Sequence, residues 1–277
     1  MKAEIQPSSH IRLTYITHFL CDDHDKFGSI ENLLKTFAAY PAEILDRVHF
    51  VIVDDGSPIS YEPKHHGLNL TWLRITDDIP WNNPGARNLG VTYAKSENIV
   101  ISDTDHDLPP ETMAYLCDRK DCGKSFFKFK RIDPEGQTKR AHPNLFFMAR
   151  SRFMRFFGYD EEYCGDYAHD DMWFVKFQKW NGSIQRHLPA RYPARMRKLD
   201  ARKHTHSLNR DLETNEALYQ KKRALVNEHG QNYGHSRTFL DFEWKVSLFH
   251  QRPTPEAKSD RLWKKLWWFR SFNPYYR

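Results

Sequence analysis

One stretch of sequence, NIVISDTDHDLPPE from Asn98 to Glu111, decides the fold. It opens with a run of mostly apolar, β-branched residues, which predicts a buried strand. The strand ends in Asp103, Asp105 and Asp107, and a double proline then favours the start of a helix. Because side chains alternate along an extended chain, these carboxylates share one side and repel each other. They either bind a cation, for which hard oxygen ligands favour Mg²⁺ or Mn²⁺, or cap the next helix in a solvated turn.

The chain before this stretch alternates predicted strands with predicted helices. Apolar patterns predict strands at residues 12–20, 48–53 and 70–75, and helices at residues 30–40 and 83–95. This alternation predicts an α/β sheet that binds ligands at the carboxyl ends of its strands. The acids at 54–55 and at 103–105 would then lie along one edge of one sheet.

Composition limits the class of protein. The 277 residues are enough to bury a sizeable core, and 39% hydrophobic with 14% aromatic content predicts a folded chain. A net charge of +6 suits an anionic substrate, a nucleic acid or an acidic membrane surface. The four cysteines match no zinc pattern and are too few for a disulfide scaffold, which favours reduced thiols in a cytoplasm. We expect a cytoplasmic protein, because the sequence has no apolar signal core and no apolar run of about twenty residues.

Three motifs occur in a fixed order. They are VIVDDGS at 51–57, PGARNLG at 84–90 and DTD at 103–105. In this order and spacing they resemble the nucleotide-binding half of a family 2 glycosyltransferase with the GT-A fold. The segments FGYDEEY at 157–163 and HDDMWF at 169–174 resemble the acceptor segment of the same family. The resemblance implies an α/β fold with a Rossmann-like, mostly parallel central sheet flanked by helices.

The resemblance also implies a division of the chain. Residues 1–220 would form the GT-A domain, with a nucleotide-binding part at about 12–112 and an acceptor part at about 113–220. Residues 208–250 are predicted to be helical and polar, and residues 221–277 to form a helical C-terminal extension. Its aromatic and basic tail, at 261–270, has two open interpretations. It lies peripherally in an anionic membrane interface, or it packs on the domain with its Lys and Arg side chains outward.

For the donor, the resemblance assigns the nucleotide to the second strand tip and the following helix. Asp55, with Asp54 beside it, would accept hydrogen bonds from uracil or ribose. The alternative for both acids is a local turn motif. Arg87 would face the nucleotide and pair with phosphate or with Asp55, and a structural salt bridge is its alternative.

The metal site implied by the resemblance is the DxD motif. Asp105 would ligate Mn²⁺ or Mg²⁺ directly, and Asp103 would contact ribose or a metal-bound water. Thr104 between them would touch the nucleotide sugar. A last metal ligand would come from His206 or, as second choice, His204, because imidazole suits Mn²⁺. The alternative is that both histidines are ordinary loop residues.

The resemblance assigns the general base to the pair Asp170 and Asp171. Asp171 matches the base position of the family, whereas Asp170 stands where the family commonly has a longer Glu. The alternative is that both acids only cap the predicted helix at 172–180. An acid at the N-terminus of a helix can cap the helix and also act as the general base, because the helix dipole keeps its carboxylate ionised.

Together these inferences predict a metal-dependent glycosyltransferase of polysaccharide biosynthesis. It would move a hexosyl or N-acetylhexosaminyl group from a UDP-linked donor to a glycan or glycolipid hydroxyl, with inversion. A nucleotidyltransferase is one alternative, but its Gly-rich basic loop is replaced here by the acidic loop Cys21–Asp25. A non-catalytic glycan- or nucleic-acid-binding module is another, but it would not need acids at both strand tips. We therefore expect no nucleic-acid partner.

Overall fold

The structure, a computed structural model, describes residues 10–120, 122–199 and 208–254. The strands are β1 (Leu13–Phe19), β2 (Val48–Asp54), β3 (Asn69–Ile75), β4 (Asn98–Asp103), β5 (His106–Asp107), β6 (Ser125–Lys128), β7 (Arg131–Ile132), β8 (Thr138–Lys139), β9 (Phe146–Ala149), β10 (Ile184–His187), β11 (Ala194–Met196) and β12 (Trp244–His250). The helices are α1 (His24–Ala38), α2 (Ala42–Leu45), α3 (Asn83–Thr92), α4 (Pro110–Asp118), α5 (Arg150–Arg155), α6 (Asp170–Trp180) and α7 (Glu213–His229). A short 3₁₀ helix covers Glu161–Tyr163.

The central sheet has the strand order β10-β6-β9-β4-β1-β2-β3-β12. Strand β1 lies in the middle and pairs in parallel with both β2 and β4, while β3 continues the parallel order beside β2. The carboxyl ends of these four strands therefore share one edge. His18 on β1 lies opposite Val53 on one side and Asp103 on the other, so the two acidic tips flank the end of β1. The predicted mixed α/β class with a mostly parallel sheet is confirmed.

Both faces of the parallel strands are covered. On β2, Phe50 packs into the core formed with α1, whereas Val51 packs into the core formed with α3. This alternation follows from the two-residue repeat of a strand, and it explains why every residue of β2 is buried. Helix α3 approaches β1 so closely that a Cβ on Gly90 would lie 2.4 Å from Ile16. Helix α3 therefore carries its N-terminal residues to a fixed position beside the tip of β1.

A smaller sheet, with the order β5-β11-β7-β8, lies beside the acid-tipped strand. Strand β5 is the continuation of that stretch at His106–Asp107, and it pairs in antiparallel fashion with β11. The guanidinium of Arg197, next to β11, donates hydrogen bonds to the carbonyl oxygens of Thr104 and Ser29. The backbone N–H of Arg197 donates to the backbone carbonyl oxygen of Asp105. The acidic turn is therefore held through the backbone carbonyl groups of Thr104 and Asp105.

The structure corrects two expectations. Helix α1 begins at His24, six residues before the predicted start at residue 30. Residues 208–250 are helical only at α7, and β12 pairs in antiparallel fashion with β3 at the edge of the central sheet. Gly230, with φ of 94°, ends α7 in a conformation that L side chains rarely adopt. Strand β12 lies at the edge of the sheet and is largely exposed, although its sequence WKVSLFH is rich in apolar residues.

The tail at 261–270 lies outside the described residues, and both of its interpretations stay predictions. Within the described ranges, every helix is too short or too polar to span a bilayer.

Candidate active site

The carboxyl edge of the central sheet carries a cavity of about 570 Å³, within the range of small-ligand sites. Strand tips, helix N-termini and one loop line it with the polar residues His18, Asp55, Arg87, Asp103, Thr104, Asp105, His142, Asn144 and Asp171. Among the predicted site residues, Asp54 and Asp170 do not line this cavity. His204 and His206 lie outside the described residues.

Asp103 is bound on both of its oxygens. Oδ1 accepts a hydrogen bond of 3.0 Å from Arg87, and Oδ2 accepts one of 3.2 Å from Asn144. Burial raises the pKa of Asp103, but the charge and hydrogen bond of Arg87 outweigh it and lower that pKa to about 2. Asp103 is therefore a fixed anion at the wall of the cavity.

Asp105 is more accessible than Asp103. Its side chain is 47% exposed, and Oδ1 lies 2.5 Å from Nδ1 of His106. Within the described residues Oδ2 has no partner, so this carboxylate has one oxygen free for a ligand. Thr104 lies between the two acids and also lines the cavity.

The two acids of the β2 tip have different environments. Asp54 accepts hydrogen bonds from the Ser57 backbone N–H at 2.8 Å and from the Tyr61 hydroxyl, and it lies 3.4 Å from Arg74. It is thus engaged within its own turn. Asp55 is buried, and its Oδ1 has no hydrogen-bond partner in the described structure. Burial and the neighbouring Asp54 raise the pKa of Asp55 to about 8, against the opposing charge of Arg87.

Arg87 joins the two halves of the site. It projects from α3 and is only 3% exposed. Besides Asp103, it donates to Oδ2 of Asp170 at 2.7 Å, and its guanidinium lies 4.9 Å from the centre of the Tyr159 ring. Its Nε is buried and has no hydrogen-bond partner among the residues that the structure describes. The salt bridge expected as an alternative is therefore present, but it connects the donor-side turn with the N-terminus of α6.

Asp170 and Asp171 begin α6 and face different directions. Asp170 is bound to Arg87, and burial raises its pKa although Arg87 opposes the shift. Asp171 instead lines the cavity, and its Oδ1 accepts from the Met172 backbone N–H at 2.6 Å. The residue before them, His169, has a left-handed backbone with φ of 69°. Because consecutive residues of a helix point about 100° apart, the two adjacent acids meet different partners.

Two histidines and one asparagine of the cavity were missed by sequence reasoning. The Nε2 atom of His18 lies 2.9 Å from Oδ1 of Asn83, and its Nδ1 is buried with no partner within the described part of the chain. Burial and the charge of Arg87 lower the pKa of His18 to about 4, so this ring is neutral. His142 lies 3.8 Å from Asp103, and burial lowers its pKa also. The position of His18 at a strand tip was a usable signal, whereas nothing local indicated His142 and Asn144.

Two acids of the segment that resembles the acceptor motif, Asp160 and Glu161, have a structural role. Asp160 accepts from Lys222 of α7 at 2.7 Å, and Glu161 accepts from Asn88 of α3 at 2.7 Å. Glu161 also accepts from the backbone of Leu240. These carboxylates thus bind the C-terminal part of the chain to the domain and leave the cavity to Asp171.

The donor set fits a hard divalent cation that arrives with a diphosphate. Within the described part of the chain, no three His, Cys, Asp or Glu side chains are grouped to hold a metal by themselves. Mg²⁺ and related cations need only one or two protein carboxylates when water and substrate phosphates complete the shell. Asp105, half-exposed with one free oxygen, supplies such a ligand, and the anionic Asp103 adds favourable charge.

Comparisons with known proteins identify the fold. No family model matches the sequence, and no curated protein matches it. S. aureus TarS 1–349 in complex with UDP-GlcNAc is similar with a TM-score of 0.58 and 12% identity, over 78% of this chain and 67% of that chain. The catalytic domain of Drosophila β1,4-galactosyltransferase 7 in complex with xylobiose has a TM-score of 0.51 and 12% identity, over 83% of each chain. The chain spans only 40% of a longer TarS structure. The fold of this chain is therefore the GT-A fold found in these glycosyltransferases.

Proposed function

We propose that this chain is a metal-dependent glycosyltransferase that moves a sugar from a UDP-linked donor to a hydroxyl of a glycan or glycolipid. One observation carries the proposal: a single cavity at the sheet edge holds the strand-tip acids Asp55, Asp103 and Asp105 together with Asp171. Residues 12–112 would supply the donor side and residues 113–220 the acceptor side. That S. aureus TarS was solved with UDP-GlcNAc supports a nucleotide sugar as donor.

Asp55 suits uracil as the base. With its pKa raised to about 8, the carboxyl is mostly protonated at neutral pH. A protonated carboxyl offers one O–H donor and one acceptor side by side. Uracil presents a matching acceptor and donor in its adjacent C=O and N–H groups. Guanine presents two neighbouring N–H donors, which would instead suit an ionised carboxylate. The environment of Asp55 therefore favours UDP over GDP.

The diphosphate would lie near Asp103 and Asp105. Asp105 would hold Mn²⁺ or Mg²⁺ through its free oxygen, with Asp103 as the nearby fixed anion. When bound, such a cation offsets the negative charge that develops on the leaving diphosphate. Arg87 keeps Asp103 ionised and oriented, since its guanidinium is itself fixed between two carboxylates.

Asp171 would act as the general base. Its carboxylate takes the proton of the acceptor hydroxyl while the acceptor oxygen bonds to the anomeric carbon, and the bond from that carbon to the diphosphate oxygen breaks. A single displacement of this kind inverts the anomeric carbon. Trp81 and Tyr167 line the same cavity with ring centres 4.6 Å apart. Such rings offer apolar faces on which an acceptor sugar packs.

The first experiment measures hydrolysis and thermal stabilisation with a panel of UDP- and GDP-sugars, with and without Mn²⁺. We expect stabilisation by UDP-sugars that depends on the metal, and the panel separates hexosyl from N-acetylhexosaminyl transfer. Full activity in EDTA, or no response to any nucleotide sugar, would overturn the proposal.

The second experiment separates catalysis from donor binding. Asp171→Asn retains most hydrogen bonds but cannot take a proton, so transfer should fall by about two to four orders of magnitude while UDP affinity stays unchanged. If Asp171 only caps α6, activity should hardly change, because Asn caps about as well as Asp. Asp118→Asn, on an exposed side chain at the end of α4, is the matched control and should leave both quantities unchanged.

A further inference from the structure

His106 follows Asp105 and has a fully buried ring with a contact at each nitrogen. Nδ1 lies 2.5 Å from Oδ1 of Asp105, and Nε2 lies 3.2 Å from Nη1 of Arg131. An arginine guanidinium has N–H donors and no acceptor, so Nε2 must accept and cannot carry a proton. The ring proton is therefore on Nδ1, from which it is donated to Asp105.

We propose that His106 is a positioning residue for the metal–nucleotide site, which fixes Asp105 through Oδ1 and leaves Oδ2 for the cation. This inference rests on the proposed function of the cavity. Asp105 is the half-exposed acid of the DxD turn, so without a partner its carboxylate would rotate freely in water. A ligand whose other atom is held by a buried group loses less freedom on binding, and such support typically changes metal affinity by about 10–100-fold.

The support behind His106 is itself rigid. Arg131 also donates from Nε to the carbonyl oxygen of Arg140 at 2.6 Å, which fixes the guanidinium that contacts the ring. The backbone of His106 pairs with Met196 in the smaller sheet, and its carbonyl oxygen accepts from the hydroxyl of Tyr15 at 3.2 Å. The smaller sheet therefore fixes the orientation of the His106 ring, and this ring in turn fixes the carboxylate of Asp105 at the cavity.

The first test needs no substitution. In protein labelled with ¹⁵N-histidine, the ring nitrogen shifts report which nitrogen is protonated. We expect one buried ring with its proton on Nδ1, and His106→Asn identifies it as the signal that disappears. If that signal instead reports a proton on Nε2, the inference is overturned.

The second test uses a matched pair of variants. His106→Asn places an amide N–H near the position of Nδ1–H and retains a donor for Asp105, whereas the longer amide of His106→Gln reaches the position of Nε2. Binding of Mn²⁺ in the presence of UDP is measured from the signal of free Mn²⁺ by electron paramagnetic resonance. We expect about tenfold weaker binding for His106→Gln and a change within about threefold for His106→Asn.

Thermal unfolding of both variants checks that the fold is retained. Equal losses in two folded variants, or no loss in His106→Gln, would overturn the positioning role. If a variant unfolds, the ring signal of the wild type still decides. Failure of the proposed function looks different: the wild type would then bind no Mn²⁺ with UDP, which also removes the metal half of this inference, while the ring signal still decides the orientation half.

Discussion

The tips of β2 and β4 look alike in sequence but differ in electrostatics. Each is an apolar strand followed by two acids, and both lie at the same edge of the sheet. Burial raises the pKa of Asp55 to about 8, whereas Arg87 lowers that of Asp103 to about 2. The difference comes from hydrogen bonding, because Arg87 bonds Asp103 directly and only acts on Asp55 from a distance.

This contrast indicates different roles for the tips. A carboxyl that is neutral at pH 7 suits a nucleobase, which presents both donors and acceptors. A carboxylate that stays ionised suits a divalent cation, which in turn can bind a diphosphate. In the proposed function, Arg87 on α3 would therefore separate base recognition from phosphate handling, and substitutions at and around it can break or sharpen the comparison.

The largest effect is expected from removal of the positive charge of Arg87, which Asp103 and Asp170 share. Arg87→Met leaves the partly buried Asp103 and Asp170 without the buried guanidinium that pairs with both, which should reduce the free energy of unfolding by about 3–5 kcal/mol. Urea denaturation measures this change. The matched control is Arg47→Met, whose ion pair with Asp118 is exposed and should contribute less than about 1 kcal/mol. Equal effects of the two substitutions would contradict the central position given to Arg87.

The next effect concerns the metal. Asp105→Asn should weaken Mn²⁺-dependent UDP binding by at least about a hundredfold, because it changes a direct ligand, whereas loss of a group that only supports a ligand costs about 10–100-fold. Asp55→Asn should leave the dependence on Mn²⁺ unchanged, because Asp55 belongs to the other tip. Calorimetric titration of UDP with and without Mn²⁺ distinguishes them. A metal-independent Asp55→Asn variant would show that the tips do not divide the work as proposed.

A smaller effect is expected from pH. The pKa of Asp55 is raised, so its proton is present below about pH 8 and is lost as the pH rises through that value. UDP affinity should therefore fall by about tenfold between pH 7 and pH 9, which lie about one pH unit below and above the pKa of Asp55. Asp55→Asn stays neutral and should show a flat profile, which also controls for titration of the ligand. A wild-type affinity that rises with pH would contradict the neutral-carboxyl interpretation.

The smallest effect is expected at Asp54. Asp54→Asn retains an acceptor for the Ser57 N–H but loses the charged contact with Arg74, so stability should fall by about 1–2 kcal/mol. UDP affinity should fall only slightly, because the carboxylate is engaged within the turn and acts on the nucleotide site only through the charge that helps to raise the pKa of Asp55. Thermal unfolding measures the stability and a UDP titration measures the affinity. A large loss of affinity would indicate that Asp54 contacts the nucleotide.

The sequence predicted the parallel core and both acidic tips, because strands buried on both faces and the turns after them leave strong local patterns. It did not predict β12, an edge strand that is largely exposed and whose pairing with β3 is decided by the fold. It also did not predict His142 and Asn144. Both lie on a loop whose local sequence carries no periodic signal, and they reach Asp103 only through the fold.

By itself, the sequence determined which residues end the strands and which helices follow them, since periodicity, proline and glycine act over a few neighbouring residues. The acids at the tips of β2 and β4 were candidates from this pattern, whereas Asp171, with Asp170, was a candidate only through the resemblance to family 2 glycosyltransferases. Only the tertiary structure decided their charge states and partners. Arg87 and Asp170 are 83 residues apart in the chain but 2.7 Å apart in space. A pKa depends on burial and on charges within a few ångströms, and neither quantity is encoded in local sequence.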